Sequence, residues 1–117
     1  MQIDFHSNGF ALTRALREYA ERRLCFALVH AGNRIRRVAV RLFFDVNGPR
    51  GGADKRCRIE VTLNGLPAVV IEDTEANRYL VIDRATDRVG RTVMRRLAHH
   101  GVFSDNSSVR LASSSSR

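Results

Sequence analysis

The chain has 117 residues, enough for one domain with a modest core that needs no metal or disulfide staple. Its net charge is +8, and all but Lys55 of its twenty basic residues are arginine, which favours a polyanionic partner, nucleic acid before an anionic membrane. No stretch reaches the roughly eighteen apolar residues of a membrane span, and Cys25 and Cys57 lack metal-ligand or redox spacing and read as reduced thiols.

Met1 leads straight into a strand-like alternation without the charged and then apolar run of a secretory signal, so the expected compartment is the cytoplasm. Ile3 and Phe5 share one face of this first strand, and Gln2, Asp4 and His6 the other. Ser7, Asn8 and Gly9 break it. Thr13 is placed to cap a helix running to about His30, which Gly32 and Asn33 terminate. Its core side is Leu12, Leu16, Tyr19, Ala20 and Ala27, with Leu24 alongside. Arg14, Arg17, Glu18, Glu21 and Arg22 form its outer face at spacings that allow ion pairs. Cys25, Leu28 and Val29 fall on the side away from the expected core and suggest a protein contact.

Alternation returns from Ile35 to Val46, with Val38, Val40, Leu42, Phe44 and Val46 facing one way and Arg37, Ala39, Arg41, Phe43 and Asp45 the other. Residues 47–54 are glycine-rich and read as a hairpin connection. The strand Lys55 to Leu63 should bury Cys57, Ile59, Val61 and Leu63. Asn64-Gly65 signals a tight turn, and Pro67 to Ile71 supply a fourth strand. Asp73 or Thr74 is expected to cap the last helix, with Glu75 in its first turn.

That helix, Asn77 to His100, carries the strongest pattern. Ile82, Ala85, Thr86, Val89, Val93 and Leu97 recur on one side, while Arg84, Arg88, Arg91 and Arg95 recur at steps of four, three and four on the other. His99 and His100 suit its C-terminal dipole. After Gly101 the period stops, so 1–101 is expected to be the folded domain and 102–117 a disordered serine-rich tail. Two amphipathic helices and four strands imply an α+β, two-layer β-α-β-β-β-α sandwich with a four-stranded mixed sheet. Both helices lie on one face, as in double-stranded-RNA-binding domains.

Catalysis is unsupported. The histidines form no triad or metal cage, no phosphate-binding loop motif is present, and no cofactor or small-molecule substrate is expected. A row of guanidinium groups can be a solvated face. Its segregation from carboxylates, with Arg34, Arg36, Arg37, Arg41, Arg56 and Arg58 on neighbouring strands, favours phosphate binding instead.

Several of these residues also carry a family pattern. Met1-Gln2-Ile3, Gly9, Leu12-Thr13 and Ala15-Leu16-Arg17-Glu18-Tyr19 resemble the start of the ribosome hibernation promoting factor and protein Y family. Tyr79 with Ile82-Asp83 is similar to the family's Tyr-x-x-Ile-Asp, followed in order by Asp87-Arg88-Val89, Arg91, Val93 and Arg95-Arg96. The resemblance spans Met1 to His100. It implies the same fold and a bacterial factor that binds small-subunit rRNA where mRNA and tRNA otherwise lie, stalling translation under stress. The rRNA-facing residues it implies are Arg84, Arg88, Arg91 and Arg95, with Arg14, Arg17 and Arg22 from the first helix. Tyr79, Ile82 and Asp83 would be architectural.

Three departures stand out: an apolar Cys25 to Val29, a longer connection at 47–54, and Gly90 in mid-helix, at about 1 kcal/mol against alanine. The tail is too short for the dimerisation domain of the family's long forms, implying a short form. Two other classes fit the charge and the apolar patch: a protein-interaction module and a generic binder of structured RNA.

Overall fold

The computed structural model describes residues 2–8, 11–44 and 55–108; the expected connection at 47–54, Val46, and residues 109–117 of the serine-rich segment lie outside the described residues. The chain runs β1 (Gln2–Asn8), α1 (Arg14–Ala27), a short 3-10 turn (Gly32–Arg34), β2 (Ile35–Phe44), β3 (Lys55–Leu63), β4 (Leu66–Glu75) and α2 (Arg78–Ser108). The sheet order is β1-β2-β3-β4, with β1 parallel to β2 and the other pairs antiparallel. This is the expected mixed sheet, with both helices covering one face.

The pleat explains why the core sits where it does. Val38, Val40, Leu42 and Phe44 of β2, Cys57, Ile59, Val61 and Leu63 of β3, and Val69 of β4 all turn toward the helices and are buried. Leu16, Ala20 and Leu24 of α1 meet them together with Val81, Ile82, Ala85, Val89, Val93 and Leu97 of α2. Each large aliphatic side chain so buried contributes about 1.5–3 kcal/mol over its exposed state. Burial, with the charge of Asp73 nearby, pushes the Cys57 thiol up to about 12, whereas Cys25 is exposed.

The structure corrects four expectations. Leu28 is core, at 2 % exposure, because it continues the i, i+4 line of Leu16, Ala20 and Leu24. Its backbone N–H bonds Leu24 O at 2.9 Å as α1 closes, three residues short of His30. Only Cys25, Phe26 and Val29 remain outside on this segment, so Leu28 is not available to touch another protein.

The cap of α2 is Asn77, whose Oδ1 accepts from the backbone N–H groups of Tyr79 and Leu80 at 2.9 and 3.0 Å. Asp73 and Thr74 are held extended by the β3–β4 ladder, which continues to the Lys55–Glu75 pair. Asn77→Ala should therefore cost about 1 kcal/mol in urea denaturation.

Finally, α2 continues past His99, His100 and Gly101 to Ser108, so those histidines lie within the helix rather than at its end. Serine, asparagine and aspartate cost only a few tenths of a kcal/mol each in a helix, and loss of amphipathic period alone does not stop one. At the other end of the sheet, α2 reaches back to β4: Arg96 donates to the carbonyls of Pro67 and Ala68 at 3.0 and 3.3 Å.

Candidate nucleic-acid interface

The helix pitch that buries Ile82, Ala85, Val89 and Val93 against the sheet turns Arg84, Arg88, Arg91 and Arg95 outward as one row. Arg88, Arg91 and Arg95, with Thr92, line a shallow depression of about 310 Å³. The row is partly compensated within the chain. Arg84 pairs with Glu75 at 2.9 Å, Arg88 with Asp73 at 2.8 Å, and Arg91 with Asp87 at 3.3 Å. Among the described residues Arg95 has no carboxylate partner.

These pairs differ in kind. Asp73 is buried, Arg88 also donates to the Glu72 carbonyl at 3.2 Å, and the second carboxylate oxygen of Asp73 has no hydrogen-bond partner. Arg88 is therefore an anchor between α2 and the edge of β4 as well as a surface cation. Arg91–Asp87 is an exposed i, i+4 pair worth a few tenths of a kcal/mol, which an incoming phosphate can displace.

The arginines of α1 split into two groups. Leu16, Ala20 and Leu24 face the core, so at 100° per residue Arg14 and Arg17 lie on the flank toward β1, and Arg22 points nearly opposite the core, into solvent. Arg17 stands 5.5 Å from the centre of the Phe5 ring of β1, and Arg14 pairs with Glu18 at 3.0 Å. The fold thus keeps Arg22 on the outer face of α1 and leaves Arg14 and Arg17 on the flank away from the α2 row.

Between the helices lies Arg23, which the spacing patterns of the sequence do not single out. It pairs with Asp83 at 3.2 Å, and the Tyr19 hydroxyl donates to the same carboxylate oxygen. That hydrogen bond, assisted by burial, holds the Tyr19 phenol above its ordinary pKa. Tyr79 meets the Tyr19 ring edge-on at a centroid distance of 4.9 Å. Tyr79 and Asp83 therefore link α2 to α1. Arg23 joins Phe26, Ala27, Asp87, Gly90, Arg91, Met94 and Arg95 around a groove of about 430 Å³ between the helices.

At Gly90 the backbones of α1 and α2 approach closely. A methyl group there would sit 2.9 Å from the Ala27 carbonyl oxygen and 3.0 Å from its Cβ. No described helix is long and apolar enough to cross a membrane, and no described group of His, Cys, Asp and Glu could hold a metal ion.

The family model described as sigma 54 modulation protein / S30EA ribosomal protein matches residues 3–99. The N-terminal domain of Protein Y from Thermus thermophilus is similar over 81% of this chain and 98% of its own, at 28% identity and a TM-score of 0.67. A ribosomal subunit interface protein from Coxiella burnetii covers 84% of this chain and 99% of its own, with a TM-score of 0.68; at 18% identity this likeness concerns the fold. No curated protein resembles the chain closely enough to count as a match.

Proposed function

The chain belongs to the sigma 54 modulation protein / S30EA ribosomal protein family, and from that premise we propose that it is a ribosome-associated factor acting without catalysis. In this reading it binds small-subunit rRNA through the cationic face of α2 and lowers translation by occluding the mRNA and tRNA sites. The observation that carries it is the depression along Arg88, Arg91 and Arg95, where forked donors sit on a rigid helix and Arg95 has no internal partner among the described residues. Arg22 extends the cationic surface from α1, and Arg84 marks its far end. Arg14 and Arg17 would reach RNA only if it wrapped toward β1.

The test is co-sedimentation with small ribosomal subunits at graded salt. With about five phosphate contacts, log affinity should fall against log salt with a slope of about −3.5 to −4.5. Binding that is absent, or indifferent to salt, rejects the reading.

A second reading rests on the exposure of Phe26, at 75% and lining the interhelical groove, and of Val29, at 60% just past the end of α1. If these dock a protein, Phe26→Ser with Val29→Ser abolishes capture of that partner and leaves ribosome co-sedimentation intact.

A further inference from the structure

The face of the sheet turned away from the helices holds an arrangement that folding alone does not account for. Arg41 of β2 and Arg58 of β3 stand directly opposite each other in the antiparallel register. Like charges so placed destabilise a sheet. Both are exposed, and neither has a carboxylate partner among the described residues.

The surroundings do little to relieve the pair. On the β1 side the register neighbour of Arg41 is His6, which is no counter-charge. On the β4 side Arg58 faces Glu72, but the Glu72 carboxylate is turned to Arg56 at 3.7 Å. Asp4 is taken by Arg37 at 3.1 Å. Glu60 lies one row along, opposite Ala39, with no described cation within ion-pair distance.

Beside the pair, the Arg56 guanidinium lies 4.4 Å above the centre of the half-buried Phe43 ring. A depression of about 420 Å³ gathers Arg41, Phe43, Arg56, Arg58, Glu60 and Glu72. Two unmatched forks next to an aromatic ring with a flat guanidinium on it is the chemistry of a nucleotide: phosphate on the forks, base on the plane.

We propose that this open face is a second RNA contact, taking an unpaired strand with its phosphates on Arg41 and Arg58 and a base against the Phe43–Arg56 stack. It lies on the opposite side of the sheet from α1 and α2, so it goes beyond the helix-face reading and does not depend on it. A flat anionic bilayer fits this face poorly, because it would press on Glu60 and Glu72 as well as on the arginines. A single strand can follow the arginines and leave those carboxylates in water.

The test uses the full chain and a fluorescein-labelled twelve-residue oligouridylate, read by anisotropy at low salt. The Arg41→Thr/Arg58→Thr variant should bind about tenfold more weakly, with a salt slope shallower by about 0.7 for each phosphate that is no longer neutralised. Its thermal midpoint should be equal to or above the parent's, since the repulsion is relieved. Phe43→Leu, which keeps an apolar side chain but removes the ring, should also lose about tenfold.

The proposal is overturned if either variant binds within twofold of the parent, or if the arginine variant has a lowered midpoint. It is equally overturned if the arginine variant loses binding to phosphatidylglycerol vesicles but not to RNA. Arg91→Gln/Arg95→Gln serves as the helix-face control. Loss of ribosome binding there, with oligouridylate binding kept, separates the two surfaces.

Discussion

Replacing Gly90 by valine is expected to destabilise the domain by about 3 kcal/mol, with alanine already costing stability. On an exposed helix the alanine change would gain about 1 kcal/mol, because glycine is the poorer helix former. Here the sign reverses. The new Cβ would stand 2.9 Å from a backbone oxygen of Ala27, which cannot rotate away as a flexible side chain would. The last turn of α1 would have to lift from α2, loosening Leu24 and Leu28 behind it. Overpacking of this kind costs about 1–3 kcal/mol, and the branches of valine take it to the upper end. Urea denaturation of the two variants decides the matter: an alanine variant more stable than the parent would show that the helices are not held at this distance.

Arg88 and Arg95 should part company when each is changed to methionine. Arg88→Met leaves the Asp73 carboxylate buried without its cation and should cost about 1–3 kcal/mol. Arg95→Met breaks no described internal pair and should change stability by less than about 0.5 kcal/mol. In ribosome co-sedimentation the order reverses. Arg95 is free to meet a phosphate, and its removal should flatten the salt slope by about 0.7–0.9. Arg88 already bonds Asp73 and the Glu72 carbonyl, so its variant should lose less binding per molecule folded. Equal stability losses for the two would mean that the contrast between anchored and free arginines is wrong.

The fold was legible because its signals are local. The period-two runs of β2 and β3, the turn at Asn64-Gly65 with Gly65 at φ +73°, and the apolar side of α2 each announce themselves within a dozen residues. What escaped depends on neighbours distant in sequence. Leu28 continues the i, i+4 line of Leu16, Ala20 and Leu24, but how wide a flank of α1 is covered depends on where the sheet and α2 pack, and that packing buries it. Asp73 and Thr74 have the chemistry of a cap, yet pairing with β3 keeps them in a strand. The arginine row was visible as spacing. Its ties to Glu75 and Asp73 were not, since they join a helix face to a strand edge that only the packed sheet brings near. Gly90 read as a local cost, and its cause sits on another helix.

The arginines of α2 that reach β4 have a consequence for colloidal behaviour. β4 ends the sheet, and an unprotected outer strand templates fibrils and misassembled dimers. Carbonyls of Pro67, Ala68 and Glu72 are occupied by Arg96 and Arg88, and Pro67 offers no N–H. A stray β-strand arriving there finds these carbonyls taken, one N–H missing and a fringe of positive charge, so Arg88 and Arg96 discourage the protein from polymerising with itself.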